Sequence, residues 1–234
     1  MDGPQQGMPT GVSLVGAEQY RRVTGPAAAA STLILLSVVG AVLNTVSDWR
    51  NCLVVHDYLA GSATTADLDS ADTFSRAVAI PALVMYLAAG VVFLVWLWRA
   101  RINSELSGGP AAHRRARGWV LGSWMTPVAN LWVPYQVVSD IWRASDPRRQ
   151  VPRDLIGTWW VLFVVDTVIG QALNRLYLGK TVTESGLRST AELSTVSALL
   201  EVTSGVLIIL IINRITRLQT GTLPGALSPA ERHR

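Results

Sequence analysis

The chain has 234 residues, of which 50% are hydrophobic and only 15% are charged, and its formal net charge is +4. Soluble proteins carry about 25% charged residues. Here the charges cluster between long uncharged stretches, so the composition excludes an ordinary soluble domain and indicates a multi-spanning membrane protein. Its basic residues lie in short connections beside apolar segments, where membrane insertion accounts for them, and no nucleic-acid partner is expected.

Five stretches approach the ~20 apolar residues that a helix needs to cross a bilayer core about 30 Å thick. They cover residues 27–47, 77–98, 118–139, 155–177 and 193–213. All but the third are predicted transmembrane helices, with Pro81 in the first turn of the second. Residues 1–26 and 219–234 are predicted to be disordered cytoplasmic tails, because Gly, Pro, Gln and Ser or terminal charges dominate them. One membrane domain, 27–218, lies between these tails.

The third stretch differs because Pro127, Asn130 and Pro134 lie in its middle. Proline removes an intrahelical hydrogen bond and pushes the preceding residue away from helical angles, so a helix, a break and a second helix are predicted. The second half is amphipathic, with Ser139 and Asp140 on its polar face, which suits a membrane interface. The expected fold is all-α: a polytopic bundle of four transmembrane helices plus one proline-broken re-entrant or interfacial segment.

The distribution of Lys and Arg distinguishes two topologies. If the third segment returns to the side it left, 15 of the 20 Lys and Arg residues lie on one side, whereas a true span leaves 10 on each side. Because cytoplasmic loops are enriched in Lys and Arg, the return is favoured, with both termini cytoplasmic and residues 48–76, including Asp48, forming a loop outside. The near absence of lysine is typical of a GC-rich bacterial genome, so a bacterial plasma membrane is the expected location.

Ionisable side chains inside the predicted spans mark the candidate site. Such groups are costly in a bilayer and usually have a partner or face a cavity. Asp166 and Glu201 lie on neighbouring helices at depths that differ by about 5 Å, and Arg175 and Asn130 complete a candidate polar site. Two interpretations stay open. The carboxylates form a pair that handles protons or cations, or they are structural, with Glu201 paired to Arg175 and Asp166 bonded to Asn130 or to backbone at the break.

The sequence contains no signature of catalysis, metal binding or cofactor binding. G-x-x-x-x-G-K-[ST], H-E-x-x-H and G-x-S-x-G are all absent, and the single cysteine, Cys52, excludes an internal disulfide. His56, His113 and His233 share no metal-ligand spacing and are expected to be solvated in loops or the tail. An enzyme is therefore not favoured, and no cofactor or metal is predicted.

The central motifs resemble those of an uncharacterised bacterial membrane-protein family, the domain of unknown function 4328. They are the run WLWRARIN at 96–103, the run RGWVLGSWMTPVANLWVPYQVVSDIWRAS at 117–145 and the pair Trp159–Trp160. The resemblance covers roughly residues 75–220 and implies a helical membrane domain, but no activity, substrate or cofactor. It implies that the characteristic positions are Arg99, Asn103, Pro127, Asn130 and Pro134.

The missing motifs and short loops favour a non-enzymatic membrane scaffold or sensor subunit that acts through protein partners or lipids. The alternative is a small proton- or ion-coupled transporter or channel that uses Asp166 and Glu201. An intramembrane enzyme has the least support. The expected partners are the bilayer and either another protein or a second copy of the chain, since small residues such as Ser37, Gly40 and Ala41 permit close helix packing.

Overall fold

The structure is a computed structural model that describes residues 20–148, 150–177 and 183–221. These residues form helices and short connections without a β-strand, so the predicted all-α class is confirmed. The helices are α1 (Thr24–Leu59), α2 (Thr65–Gly108), α3 (Trp119–Met125), α4 (Val133–Ser145), α5 (Arg153–Tyr177) and α6 (Glu184–Gly221). Most of both predicted tails lies outside the described residues, although α1 begins at Thr24 and α6 continues to Gly221, slightly beyond the predicted domain boundaries.

Four helices, α1, α2, α5 and α6, are long and apolar enough to cross a membrane. The shortest, α5, has 25 residues, which corresponds to about 38 Å at a rise of 1.5 Å per residue. Only 11–28% of the most apolar 18-residue stretch of each helix is buried inside the protein. Helices of a soluble core would bury such side chains. The protein is therefore a membrane protein, and its four predicted spans are confirmed.

The spanning helices define two ends of the bundle. At the basic end, α1 and α5 begin and α2 and α6 end. Asn103 of α2 bonds there to the backbone of Arg21 before α1, and Gln219 of α6 bonds to the Ala100 carbonyl of α2. At the opposite cavity end, Tyr177 of α5 donates a hydrogen bond to Asp48 of α1 at 2.9 Å.

The third segment enters the bundle from the basic end and returns to it. At its start, Arg117 forms an ion pair with Glu105 near the end of α2. At its finish, Ser145 accepts a hydrogen bond from Gln219 of α6 at 2.9 Å. Between these points α3 stops at Met125, a 3-10 turn covers Ala129–Leu131, and α4 begins at Val133. The predicted helix, break and second helix are confirmed, and both ends of the segment lie at the same end of the bundle.

Three local expectations are wrong. Pro81 lies inside α2 rather than in its first turn, because α2 begins at Thr65. The stretch 48–76 is mostly helical, since α1 continues to Leu59. The polar face of α4 is not exposed at an interface, because Asp140 is 1% exposed and forms an ion pair with Arg114 at 2.9 Å.

The packing of α1 against α2 depends on a glycine. A Cβ atom built on Gly40 would lie 2.9 Å from the Cβ of Ala82, which is closer than side-chain carbon atoms pack. Gly40 therefore permits close packing between two helices of the same chain.

An aromatic cluster supports the helix break from the side. Its members are Phe93, Trp96, Trp124, Trp159, Trp160 and Phe163, whose contacting rings have centroids 5.4–6.3 Å apart. From this cluster, the Trp160 indole N–H donates a hydrogen bond of 2.8 Å to the Leu131 carbonyl. Irregular backbone at membrane depth is tolerated only where the protein satisfies its polar groups, so Trp160 stabilises the break.

Replacing Trp160 with Phe is expected to lower the free energy of unfolding more than replacing Trp124 with Phe, by about 1–3 kcal/mol. Both changes shrink a ring of the same cluster. Only the first removes the donor to the Leu131 carbonyl, because the Trp124 indole nitrogen is buried without a hydrogen-bond partner among the described residues. Unfolding in detergent micelles, followed by circular dichroism, measures both values. Equal losses in the two variants would contradict the assigned role of Trp160.

Candidate functional site

A polar cavity lies between α1, α2, α5 and α6 at the cavity end, with a volume of about 640 Å³. This is within the range of small-molecule sites, roughly 300–1,000 Å³. Its polar and aromatic lining includes Ser37, Asn44, Asp48, Asn51, Tyr86, Asn174, Tyr177, Ser194, Ser197 and Glu201. Polar side chains at membrane depth that face a cavity mark substrate or ion pathways.

The floor of the cavity contains the two predicted carboxylates. Glu201 lines the cavity directly. Asp166 accepts a hydrogen bond from the Ser197 hydroxyl, which is itself part of the lining. The carboxylates of Asp166 and Glu201 lie close enough to interact electrostatically with each other, and both interact with Tyr86. The structure thus brings Asp166 and Glu201 together across α5 and α6.

The mouth of the cavity contains residues that the sequence analysis missed. The Asp48 carboxylate accepts the bond from Tyr177, and Asn51 donates to the Ser75 hydroxyl at 2.9 Å. Asp48 was assigned to a loop because the apolar stretch ends just before it. The available signal was the spacing of Ser37, Ala41, Asn44, Asp48 and Asn51, which recur every three or four residues and so share one helical face.

Arg175 and Asn130 do not join this site. Arg175 is exposed on α5 and forms none of the ion pairs found among the described residues. The structural alternative in which Arg175 pairs with Glu201 is therefore not observed. Arg175 directly follows Asn174, which lines the cavity. Because neighbouring residues of a helix point in different directions, Arg175 does not face the cavity. Asn130 lies at the break, where its backbone N–H donates to Thr126 at 2.8 Å. The Asp166 carboxylate bonds to Ser197 and not to Asn130.

The motif residues Arg99 and Asn103 lie at the basic end. The Asn103 side chain accepts a hydrogen bond from the Arg21 N–H and donates one to the Arg21 carbonyl, both at 2.8 Å. It also donates to Gln219 at 3.3 Å. Arg99 donates to the Arg22 carbonyl at 3.1 Å. These contacts hold the chain before α1 against α2 and α6, so Asn103 has a structural role.

Ion pairs hold the connection between α2 and α3 at the basic end of the bundle. Glu105 bonds to Arg101 at 2.7 Å and also pairs with Arg117. Asp140 on α4 holds Arg114 at 2.9 Å and Arg143 at 3.5 Å. Because Asp140 is buried and Glu105 nearly so, removing either would leave guanidinium groups without their counter-charge.

His113 is buried within this cluster, which corrects the expectation of solvated loop histidines. It is 9% exposed and shares a hydrogen bond of 3.3 Å with Ser104. Burial, together with the nearby charge of Arg101, lowers the pKa of His113 to about 4. His56 lies on α1 and bonds to Glu184 at 2.6 Å, while His233 falls outside the described residues. Among described residues no group of three His, Cys, Asp or Glu side chains could hold a metal ion.

Residues 61–217 match the family described as Domain of unknown function (DUF4328). The chain belongs to this family. The match covers α2 to nearly the end of α6 and includes the helix break, both floor carboxylates and Asn103, while α1 precedes it. No curated protein and no solved structure matches the chain.

Replacing His113 with Gln is expected to weaken the loss of stability in acid. The ordinary pKa of histidine is about 6.5. Between that pH and about 4, the unfolded chain therefore binds a proton at His113 that the folded chain does not. Its contribution is fully favourable above pH 6.5 and declines as the pH falls. The thermal midpoint of unfolding in detergent should fall less between pH 7 and pH 5 in H113Q than in the wild type. In H56Q, whose histidine lies at the other end of the bundle, this fall should not be smaller than in the wild type. If the midpoint of H113Q falls as much as that of the wild type, His113 is not the group responsible for the loss of stability in acid.

Proposed function

We propose that this protein is a small proton- or ion-coupled transporter that takes its solute into the polar cavity. The observation that carries the proposal is that this cavity reaches Glu201, with Asp166 directly behind Ser197. Neighbouring carboxylates repel one another when both are charged, and a proton or a cation between them relieves that repulsion. The pair therefore suits the exchange of a proton for a cationic solute.

The arginine distribution supports a topology in a bacterial plasma membrane with the basic end in the cytoplasm. Described arginines at the basic end are Arg21, Arg22, Arg99, Arg101, Arg114, Arg115, Arg117, Arg143, Arg148, Arg153, Arg214 and Arg217. Those at the cavity end are Arg50, Arg76, Arg175 and Arg188. Because Lys and Arg accumulate on the cytoplasmic side, we propose that the cavity opens to the outside and that both termini are cytoplasmic.

Transport needs a second conformation that opens toward the basic end. In the structure that half of the bundle is filled by buried apolar side chains, among them Trp96, Leu97, Ile211 and Ile212. Helix α6 carries Glu201 at the cavity floor and packs its buried isoleucines closer to the basic end. A shift of α6 against α1 and α2 would move both features together, which couples occupancy of the floor to opening of the packed half.

Replacing Glu201 with Gln, or Asp166 with Asn, is expected to lower the rate of proton-coupled cation flux in proteoliposomes by about tenfold or more, equivalent to ~1.4 kcal/mol. Each change preserves shape but removes a charge from the floor. The control is Glu192→Gln, which alters an exposed carboxylate on the same helix that pairs with Arg188. Wild-type flux in both floor variants would exclude the carboxylate pair from coupling.

The second proposed function is a non-enzymatic scaffold or sensor subunit that acts through partners or lipids. It is favoured by the basic end, where the chain before α1 is tied to α2 and α6 through Asn103 and Gln219. In this function, ligand binding in the cavity shifts α6, and α6 transmits the change to a cytoplasmic partner without any transport of the ligand. Gentle purification in lipid nanodiscs, followed by mass spectrometry, should then recover a stable partner or a retained lipid. Purification of the bare chain would count against this function.

A further inference from the structure

The cavity has an acidic and aromatic group at each end. At the floor, Glu201 and Tyr86 both line the cavity, and Asp166 lies behind Ser197. At the mouth, the Asp48 carboxylate is bonded to Tyr177. Ser37 of α1 lies beside Glu201, and Asp48 is eleven residues farther along the same helix. At 1.5 Å per residue, the two groups are about 16 Å apart along α1, a distance that the reach of the side chains shortens.

Between these groups the wall contains small and apolar side chains beside the amides of Asn44 and Asn174. Ala41, Ala79, Ala82, Leu83 and Ala198 line this middle part of the cavity. They offer van der Waals contact to a hydrocarbon chain. A single inorganic cation would leave such a wall without contacts.

No positive side chain of the described lining neutralises the two acidic groups. The one arginine in that lining, Arg76, stands at the mouth and forms an ion pair with Asp72 at 3.3 Å. Its guanidinium is therefore paired with a carboxylate outside the cavity lining, and its side chain is 74% exposed. The electrostatic complement must therefore come from the ligand.

From this arrangement, and resting on the proposed function, we propose that the ligand is a linear diamine or polyamine with a protonated nitrogen at each end. One ammonium group would donate hydrogen bonds to the Glu201 carboxylate, with the charge of Asp166 behind it, and lie near the Tyr86 ring. The other would bond to Asp48 and lie near the Tyr177 ring. Charge-assisted hydrogen bonds and cation–π contacts are the interactions that recognise ammonium groups. The methylene chain would lie along the small apolar wall.

The proposal predicts a dependence of affinity on chain length. Isothermal titration of the full-length protein in uncharged detergent would compare 1,4-diaminobutane, 1,8-diaminooctane and spermine. Octylamine controls for the alkyl chain, and 1,8-octanediol for a two-ended ligand without charge. The longer diamines should bind at least about tenfold more tightly than diaminobutane and octylamine, because a second contact within one molecule raises affinity. The diol should not bind.

Replacing Asp48 with Asn should reduce the affinity for 1,8-diaminooctane to that of octylamine and leave the affinity for octylamine unchanged, since its single ammonium group uses the floor. Asp69→Asn, an exposed carboxylate at the same end, is the matched control and should bind like wild type. Should D48N fail to fold, Asp48→Glu keeps the charge on a longer side chain and should shift the preference toward shorter diamines.

Equal affinity for octylamine and the long diamines, or no binding of any amine, would overturn the two-ended ligand. The two-ended ligand would also be overturned if D48N and D69N changed the affinity for 1,8-diaminooctane equally, or if D48E kept the wild-type preference for chain length. Proton-coupled flux of a monovalent cation that needs Glu201 would still support the transporter if the length dependence is missing. Conversely, length-dependent binding that needs Asp48, without any flux, would support the ligand and favour the sensor.

Discussion

The hydrogen bond from the Trp160 indole to the Leu131 carbonyl supports the chain reversal on which the architecture depends. A bilayer supplies no water to backbone groups, so a broken helix persists at depth only where side chains satisfy it. Here the break lets α3 and α4 leave and rejoin the basic end, and α5 therefore starts from that end as well. Had the segment crossed, α5 and α6 would run in the opposite direction, and Tyr177 could not reach Asp48.

Polar side chains have different surroundings at the two ends of the bundle. At the basic end, Asn103, Gln219 and Asp140 bond to backbone and side chains of several elements, which joins α2, α4, α6 and the chain before α1. At the cavity end, Asn44, Asn174 and Glu201 face open space. Buried polar groups normally find protein partners. The concentration of polar side chains around a cavity is therefore the feature that distinguishes the candidate site from the structural polarity of the basic end.

The sequence predicted the broad architecture because the relevant signals are local. Apolar length identifies α1, α2, α5 and α6, and Pro127 and Pro134 identify the break. The depths of Asp166 and Glu201 follow from counting residues along two neighbouring helices. Asp48 was missed because hydropathy marks only the apolar part of a helix, whereas α1 continues well past its apolar part. Tyr177 lay inside a predicted span, but its role was missed because its partner Asp48 had been assigned to a loop. The burial of His113 could not be predicted either, since two arginines follow it directly in the sequence and its enclosure depends on α2 and α4, which pack around it.

The return of the third segment is tested most directly by the accessibility of single cysteines placed before it, after it and at the cavity end. In a Cys52→Ser background, Ser107→Cys lies before the segment, Arg148→Cys lies after it, and Ala66→Cys lies in the first turn of α2 at the cavity end. All three positions are exposed. Intact cells would be treated with a membrane-impermeant thiol reagent, with permeabilised cells as reference. The account predicts that residues 107 and 148 react only after permeabilisation and that residue 66 reacts in intact cells. If residue 148 reacts like residue 66 and unlike residue 107, the segment crosses the membrane and the account is contradicted.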